Sequence, residues 1–185
     1  LNKENNQLKI TNNGSDIIFI KVKNTGVPLK GNITEDENNL SMNIKYINMK
    51  GEKISPYLLD QGTDFMAEVV IKNTSYVDLH QLALSQMFPS GWEIRNTRMD
   101  NVSSSYLKDH PDYQDFRDDR VYSYFNLSKG QTKTFRIILN ASYMGEFFLP
   151  ITYCEAMYDN EYFSRKAGGI VKVVRSGGEL TTLGE

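Results

Sequence analysis

Two histidines and one cysteine are the side chains of this chain with the greatest catalytic or metal-binding potential. His80 falls inside a predicted strand, on the face shared with Leu82 and Leu84, while His110 precedes Pro111 in a long polar loop. A strand histidine without a partner motif is more often a partly buried structural residue than a catalytic base. The sequence contains no His-Glu-x-x-His, Gly-x-Ser-x-Gly or glycine-rich phosphate motif. We therefore expect no catalytic residue and no enzymatic activity.

The single cysteine, Cys154, can form neither an internal disulfide nor a zinc site built on two or four cysteines. It stands at the end of an apolar strand, without a neighbouring His or Lys to lower its pKa. A nucleophile and a buried, unreactive thiol are both open, and the second is favoured because free cysteine is usually buried.

An acidic cluster of four aspartates lies in a 22-residue stretch, Arg98 to Asp119, that lacks a clear strand. Several carboxylates on a flexible loop could bind calcium, although the spacing is not that of an EF-hand. Arginines alternate with the aspartates, and they favour ion pairs over a metal site. We predict no metal and no cofactor, with loop-pinning ion pairs among Asp115, Arg117, Asp118, Asp119 and Arg120. Calcium binding is the alternative.

Carbohydrate binding is the other chemistry that the aromatic content of 11 Tyr, 9 Phe and 1 Trp allows. Trp92 directly follows the turn Pro89 to Gly91 and enters a strand, which is typical of a core aromatic residue. An extracellular adhesion or glycan-binding module is therefore kept as an alternative function.

The composition bounds the class of protein. The 185 residues are 39% hydrophobic and 24% charged, with a formal net charge of −2. Such a chain can bury a sizeable core. It shows no basic surplus of the kind that binds nucleic acid, and no apolar run of about 18 residues that could span a bilayer.

Alternation of apolar and polar residues with a period of two dominates from Leu40 onward. Turn-forming residues separate nearly all of the alternating stretches, and a sustained helical period is absent. The pattern predicts an all-β fold, a seven-stranded antiparallel β-sandwich of immunoglobulin or fibronectin-III type with one long loop. Within that loop, Tyr106 to Phe116 could form a short helix, limited by Pro111.

Three segments are predicted. In the first, residues 1–35, Leu8, Ile10 and Ile17 to Val22 flank a turn at Asn12 to Asp16, as in a hairpin. The polar stretch Gly31 to Asn39 marks the boundary. The sandwich occupies residues 36–175, and residues 176–185 form a tail that frays.

Four stretches in this order and spacing resemble one family: Phe88 to Ile94 (Phe-Pro-Ser-Gly-Trp-Glu-Ile), Asp115 to Val121 (Asp-Phe-Arg-Asp-Asp-Arg-Val), Gly145 to Pro150 (Gly-Glu-Phe-Phe-Leu-Pro) and Glu155 to Asp159 (Glu-Ala-Met-Tyr-Asp). Over about residues 40 to 175 the chain is similar to the C-terminal macroglobulin-like domain of bacterial α2-macroglobulins. Each motif alone is weak, and their ordered combination is specific. Residues 1–35 resemble the last strands of the preceding CUB-like domain.

The resemblance implies a non-catalytic part of a protease trap. In the family, cleavage of a bait region exposes an internal Cys–Gln thioester that acylates a lysine of the protease. The thioester motif Cys-x-Glu-Gln is absent here, because Cys154-Glu155-Ala156-Met157 does not match it. The implied role is to cover the thioester until the bait is cleaved.

Met157 and Tyr158 match the covering pair of the family. They either shield the thioester, which a thioether and an aromatic ring do by excluding water and amines, or they end a strand and pack in the core. The polar Asp159 and Asn160 that follow favour an exposed loop tip. The proline that commonly follows the pair is missing, which predicts a less rigid loop.

The resemblance also implies partners and a location. The expected partners are the thioester domain and neighbouring macroglobulin domains of the parent chain, and target proteases through the full-length protein. Nucleic acid and small-molecule substrates are not expected. The implied location is the periplasm or the cell surface, with lipid anchoring of the parent left open.

Overall fold

The structure, a computed structural model, describes residues 9–22, 34–95 and 108–176. In these ranges the chain forms fourteen β-strands, and it has no helix that could cross a membrane. In chain order the strands are β1 Asp36–Asn38, β2 Leu40–Asn48, β3 Lys53–Ile54, β4 Leu58–Asp60, β5 Asp64–Asn73, β6 Leu79–Met87, β7 Trp92–Arg95, β8 Tyr113–Phe116, β9 Arg120–Leu127, β10 Thr132–Ala141, β11 Gly145–Leu149, β12 Thr152–Ala156, β13 Asp159–Lys166 and β14 Gly169–Val174.

The strands form three sheets. Sheet A has the order β1-β13-β12-β6-β9-β8, sheet B has β3-β2-β5-β10-β7, and sheet C has β11-β14-β4. The pairs are antiparallel except for β4 and β14, which run parallel. Strands distant in sequence are neighbours in every sheet, so the fold depends on non-local pairing.

Two large apolar clusters fill the interior between sheet B and the other two sheets. The first cluster joins sheets A and B through residues such as Phe125, Phe135 and Cys154. The second joins sheet B to sheet C through residues such as Phe65 and Val171. Sheets A and C thus pack side by side on sheet B, which makes a β-sandwich and confirms the predicted fold class.

A buried charge lies on the opposite face of sheet B. Glu68 on β5 is 2% exposed and accepts bonds from its two cross-strand neighbours. Lys45 Nζ on β2 is 2.8 Å from Glu68 Oε1, and Arg136 Nε on β10 is 2.6 Å from Oε2. Since an unpaired buried carboxylate would be costly, the two cations are what allow Glu68 to be buried there.

The prediction of seven strands was too low. The sequence pattern located most long strands, such as β5 and β10, but missed short and polar ones such as β1, β3 and β13. In β13 the sequence Asp-Asn-Glu-Tyr-Phe-Ser-Arg-Lys buries only Ser164, so it lacks the apolar alternation that identifies a half-buried strand.

The long loop also differs from expectation. Residues 96–107 lie outside the described residues. In the described part, the predicted short helix is wrong, because Tyr113–Phe116 forms β8 and pairs antiparallel with β9. Pro111 disfavours a helix at this point, and β9 provides an open edge with which residues 113–116 pair.

The predicted N-terminal hairpin does not form in the described residues 9–22, which contain no strand. The turn itself is present, since Asn12 Oδ1 accepts from Gly14 N at 2.9 Å and Asn12 Nδ2 donates to the Asp16 carbonyl at 2.7 Å. Ile17 and Phe19 are 85% and 96% exposed. The division between residues 35 and 36 stays a prediction, although the first strand of the described residues begins at Asp36.

Candidate functional site

Met157 and Tyr158 form the two-residue turn of the hairpin between β12 and β13, where Ala156 pairs with Asp159. Alternation along β12 buries Thr152, Cys154 and Ala156 and so fixes the hairpin on the core. Beyond Ala156 the two turn side chains leave the sheet, and they are 47% and 80% exposed. An exposed thioether next to an exposed phenol ring is thus presented at the tip of a buried strand.

The hairpin turn is tied to β6, and a local side-chain hydrogen bond stabilises the start of β13. The Met157 N–H donates to the carbonyl of Gln81 at 3.1 Å, and the Glu161 N–H donates to Asp159 Oδ1 at 3.0 Å. Neither Met157 nor Tyr158 has the left-handed backbone that two-residue hairpin turns commonly use; a bulge between Glu155 and Ala156 accommodates the turn instead. These bonds restrain the turn in the absence of the proline.

His80 does not lie on the core face that the sequence pattern predicted for it. It is exposed, whereas Leu82 and Leu84 are buried. A register shift between Leu79 and Leu82, with Gln81 in a left-handed conformation (φ 55°), turns His80 away from the core face. Such a bulge cannot be read from alternation alone. The same bulge presents the Gln81 carbonyl that binds Met157.

Cys154 is fully buried in the first apolar cluster, which confirms that prediction. Burial raises the pKa of its thiol well above the ordinary value, and the nearby Glu155 carboxylate adds to the effect. The neutral thiol is a poor nucleophile.

The acidic cluster lies mainly in and around the β8–β9 hairpin turn. Arg117 Nε is 2.9 Å from Asp115 Oδ2, and Arg120 binds both carboxylate oxygens of Asp119 at 2.7 and 2.6 Å. The hydrogen bond from Arg120 lowers the pKa of Asp119. Asp118 lines a cleft toward β7, and whether these contacts pin the loop stays a prediction. In the described part of the chain no three acidic, His or Cys side chains converge as metal ligands would.

Trp92 is 3% exposed and packs edge-on against Phe65, with ring centroids 5.0 Å apart. It also meets Tyr46 at 5.8 Å. The only tryptophan of the chain is thus a core residue and offers no stacking surface to a sugar. This burial removes the main observation behind the glycan-binding alternative.

A second exposed apolar pair, which the sequence analysis did not single out, lies in the turn between β5 and β6. Tyr76 is 86% exposed and Val77 is 50% exposed. The available signal was an aromatic and an aliphatic residue in the middle of a polar turn, Asn73 to Asp78, where neither has a strand face to occupy.

Residues 40–161 match a family model, described as the bacterial α2-macroglobulin MG10 domain. The chain belongs to this family. The match begins at the start of β2 and ends within β13, so it contains β12 and the turn with Met157 and Tyr158.

Two curated relatives are the α2-macroglobulins of Pasteurella multocida and Rickettsia conorii. Each is 25% identical to the chain, over 170 and 179 residues. The alignments cover 90% and 92% of this chain but only 8% and 9% of those proteins. The MG10 chain thus spans less than a tenth of the length of these relatives.

Solved bacterial α2-macroglobulins share the fold. The Salmonella protein reacted with methylamine has a TM-score of 0.69 at 18% identity, and the native Escherichia coli protein has 0.70 at 17%. Each alignment covers 78% of this chain and 10% of that chain. The trypsin-activated Escherichia coli protein gives 0.67 at 18%, over 75% and 10%.

Proposed function

We propose that this MG10 domain is a non-catalytic part of a protease trap, and that its β12–β13 hairpin covers the thioester of a neighbouring domain until a protease cleaves the bait region. The observation that carries the proposal is the exposure of Met157 and Tyr158 on a hairpin whose backbone is fixed. The expected partners are the thioester domain and the other macroglobulin domains of the same parent chain, and proteases meet the domain through the full-length protein.

The chemistry of the pair suits a cover. A thioester is lost by attack of water or an amine, so a cover must exclude both and must not itself attack. A thioether and a phenol ring provide apolar contact area without a strong nucleophile. The one thiol nearby, Cys154, is buried behind the hairpin.

Two structural relatives support a reactive group and a protease trigger. One relative was reacted with methylamine, an amine that opens thioesters, and another was activated by trypsin. For the present chain both properties belong to the proposal. The proposal also requires a Cys-x-Glu-Gln sequence elsewhere in the parent.

The test uses the full-length parent with Met157→Ala and Tyr158→Ala combined. Methylamine incorporation and thiol release are measured before any protease is added. We expect both to be at least about tenfold faster than in the unchanged protein, because water and methylamine then reach the thioester; a factor of ten corresponds to about 1.4 kcal/mol of activation free energy. Cys154 should not contribute to the thiol signal, since it is buried.

The chain offers a matched control. Tyr143 and Met144, in the turn between β10 and β11, are also an exposed Tyr–Met pair, at 55% and 52%. They lie at the far end of the ten-residue β10, about 30 Å from its start. Changing both to alanine should leave methylamine incorporation unchanged. Equal rates for the hairpin variant and the unchanged protein would refute the shielding function.

Location in the periplasm or at the cell surface is part of the same proposal and rests on the family resemblance. It is tested by fractionating cells that produce the parent and probing each fraction with an antibody to this domain. Recovery in the cytoplasmic fraction alone would contradict it.

A further inference from the structure

The end of the sandwich that carries Met157 and Tyr158 also carries the exposed pair Tyr76 and Val77. The Met157 N–H binds the carbonyl of Gln81 at 3.1 Å, and Gln81 is four residues after Val77. Four residues of extended chain span at most about 14 Å. Both exposed pairs therefore lie within the reach of a single docked domain.

The turn that carries Tyr76 and Val77 has a fixed backbone. The buried Asn73 side chain donates to the carbonyls of Val77 at 2.8 Å and Leu127 at 3.2 Å. Ser75 Oγ, also buried, lies 2.7 Å from Asn73 Oδ1 and 3.1 Å from the Val77 carbonyl. These bonds tie the β5–β6 turn to the end of β9.

Tyr76 itself is held by a cation. Lys129 Nζ lies over the Tyr76 ring, 5.4 Å from its centroid, and the Lys129 N–H donates to Asp78 Oδ1 at 2.7 Å. At an exposed site such a contact favours the observed ring position by about 0.5–1 kcal/mol. A restrained, 86% exposed tyrosine next to a half-exposed valine has the properties of an interface anchor.

We propose that Tyr76 and Val77 form, together with Met157 and Tyr158, one docking surface for the thioester-bearing domain of the parent chain. This inference rests on the proposed function and extends it, because the β5–β6 turn holds the two domains together while the hairpin covers the reactive group. A standard interface buries about 800 Å² on each partner, which is wide enough to include two turns separated by at most about 14 Å of chain and one hydrogen bond.

The expected occupant is a domain of the same parent polypeptide. The alignments cover only 8% and 9% of the two curated relatives, so in those proteins the corresponding domain has many neighbours in the same polypeptide. Charged groups surround the apolar pairs on this end, among them Lys129, Asp78 and Asp159, as in the polar rim of an interface.

Photo-crosslinking in the full-length parent tests the contact directly. A benzophenone amino acid replaces Tyr76 in one variant and Tyr143, at the opposite end, in a control. We expect ultraviolet light to link position 76 to the domain that carries the methylamine-reactive residue, as mapped by mass spectrometry. The link should be lost after protease activation, and position 143 should not link to that domain.

A rate measurement provides the second readout. The Tyr76→Ser, Val77→Ser variant of the parent should incorporate methylamine about tenfold faster than the unchanged protein, while the Tyr143→Ser, Met144→Ser control should not. Circular dichroism and the urea midpoint of each variant confirm that the fold is retained.

The outcomes separate this inference from the proposed function. If position 76 links to another domain or to a second molecule, or gives no link, the docking surface is refuted, even when the Met157, Tyr158 variant reacts faster. If the Met157→Ala, Tyr158→Ala variant incorporates methylamine at the normal rate, the shielding function is refuted, whatever position 76 contacts.

Discussion

Replacing Glu68 by glutamine should destabilise the fold far more than the same change at the surface. Glu68 is 2% exposed and receives hydrogen bonds from Lys45 and Arg136 at 2.8 and 2.6 Å. Removing one partner of a buried ion pair typically costs about 3–5 kcal/mol. Glutamine keeps the volume and one acceptor, and Lys45 is 45% exposed to water, so we expect about 2–3 kcal/mol.

Urea unfolding at pH 7 measures this loss, which corresponds to a melting temperature about 5–10 °C lower for a chain of this size. Glu146→Gln is the matched control, because its carboxylate binds Lys172 at 2.9 Å but is 57% exposed. The control should change the free energy of unfolding by less than about 0.5 kcal/mol. A Glu68→Gln loss no larger than that of the control would refute the reasoning.

The loss of stability caused by Glu68→Gln should also depend on pH. Burial alone would raise the pKa of Glu68, but the hydrogen bonds and charges of Lys45 and Arg136 outweigh burial and lower it below the ordinary value of 4.5. The stabilisation is therefore present above pH 4.5 and is lost as the pH falls through the folded-state pKa. The difference in the free energy of unfolding between the unchanged and the Glu68→Gln protein should shrink in acid. A difference that grows would contradict a lowered pKa of Glu68.

Three further predictions concern the core and the turns. Asn73→Ala should cost about 2–3 kcal/mol in urea unfolding, since it leaves buried carbonyls without the amide donor; a loss below about 0.5 kcal/mol would show that water replaces the amide. Gly91→Ala should cost about 2 kcal/mol, because its Cβ would lie 2.3 Å from the Phe147 ring; an unchanged midpoint would mean that the ring moves freely. Cys154 should react with a thiol reagent at pH 8 no faster than the protein unfolds, because its thiol is fully buried and burial also raises its pKa; rapid labelling of the folded protein would refute this.

Much of the fold follows from local sequence. The alternation Phe65, Ala67, Val69, Ile71 fixes which face of β5 is buried, because side chains of a strand point to opposite sides in turn. Turn-forming residues likewise mark where the long strands begin and end. A sequence with this pattern is restricted to an all-β sandwich or barrel before any contact is known.

The alternation of apolar and polar residues did not predict which strands pair. The strand β13 exists because its backbone bonds β12 on one side and β1 on the other, not because its side chains alternate. The bulge at Gln81, which exposes His80, and the strand at Tyr113–Phe116 depend on the same kind of partner. Backbone hydrogen bonds between distant segments carry no signature in the side chains.

The candidate site was likewise predicted in part by the sequence and in part only by the tertiary structure. The sequence by itself determined that Met157 and Tyr158 end an apolar strand and precede polar residues, which is enough to predict a turn. Only the tertiary structure placed Tyr76 and Val77 at the same end, through the bonds of Asn73 and Gln81. It also buried Glu68 on a face that alternation marks as polar, since burial depends on what the rest of the chain packs against a strand and not on the strand alone.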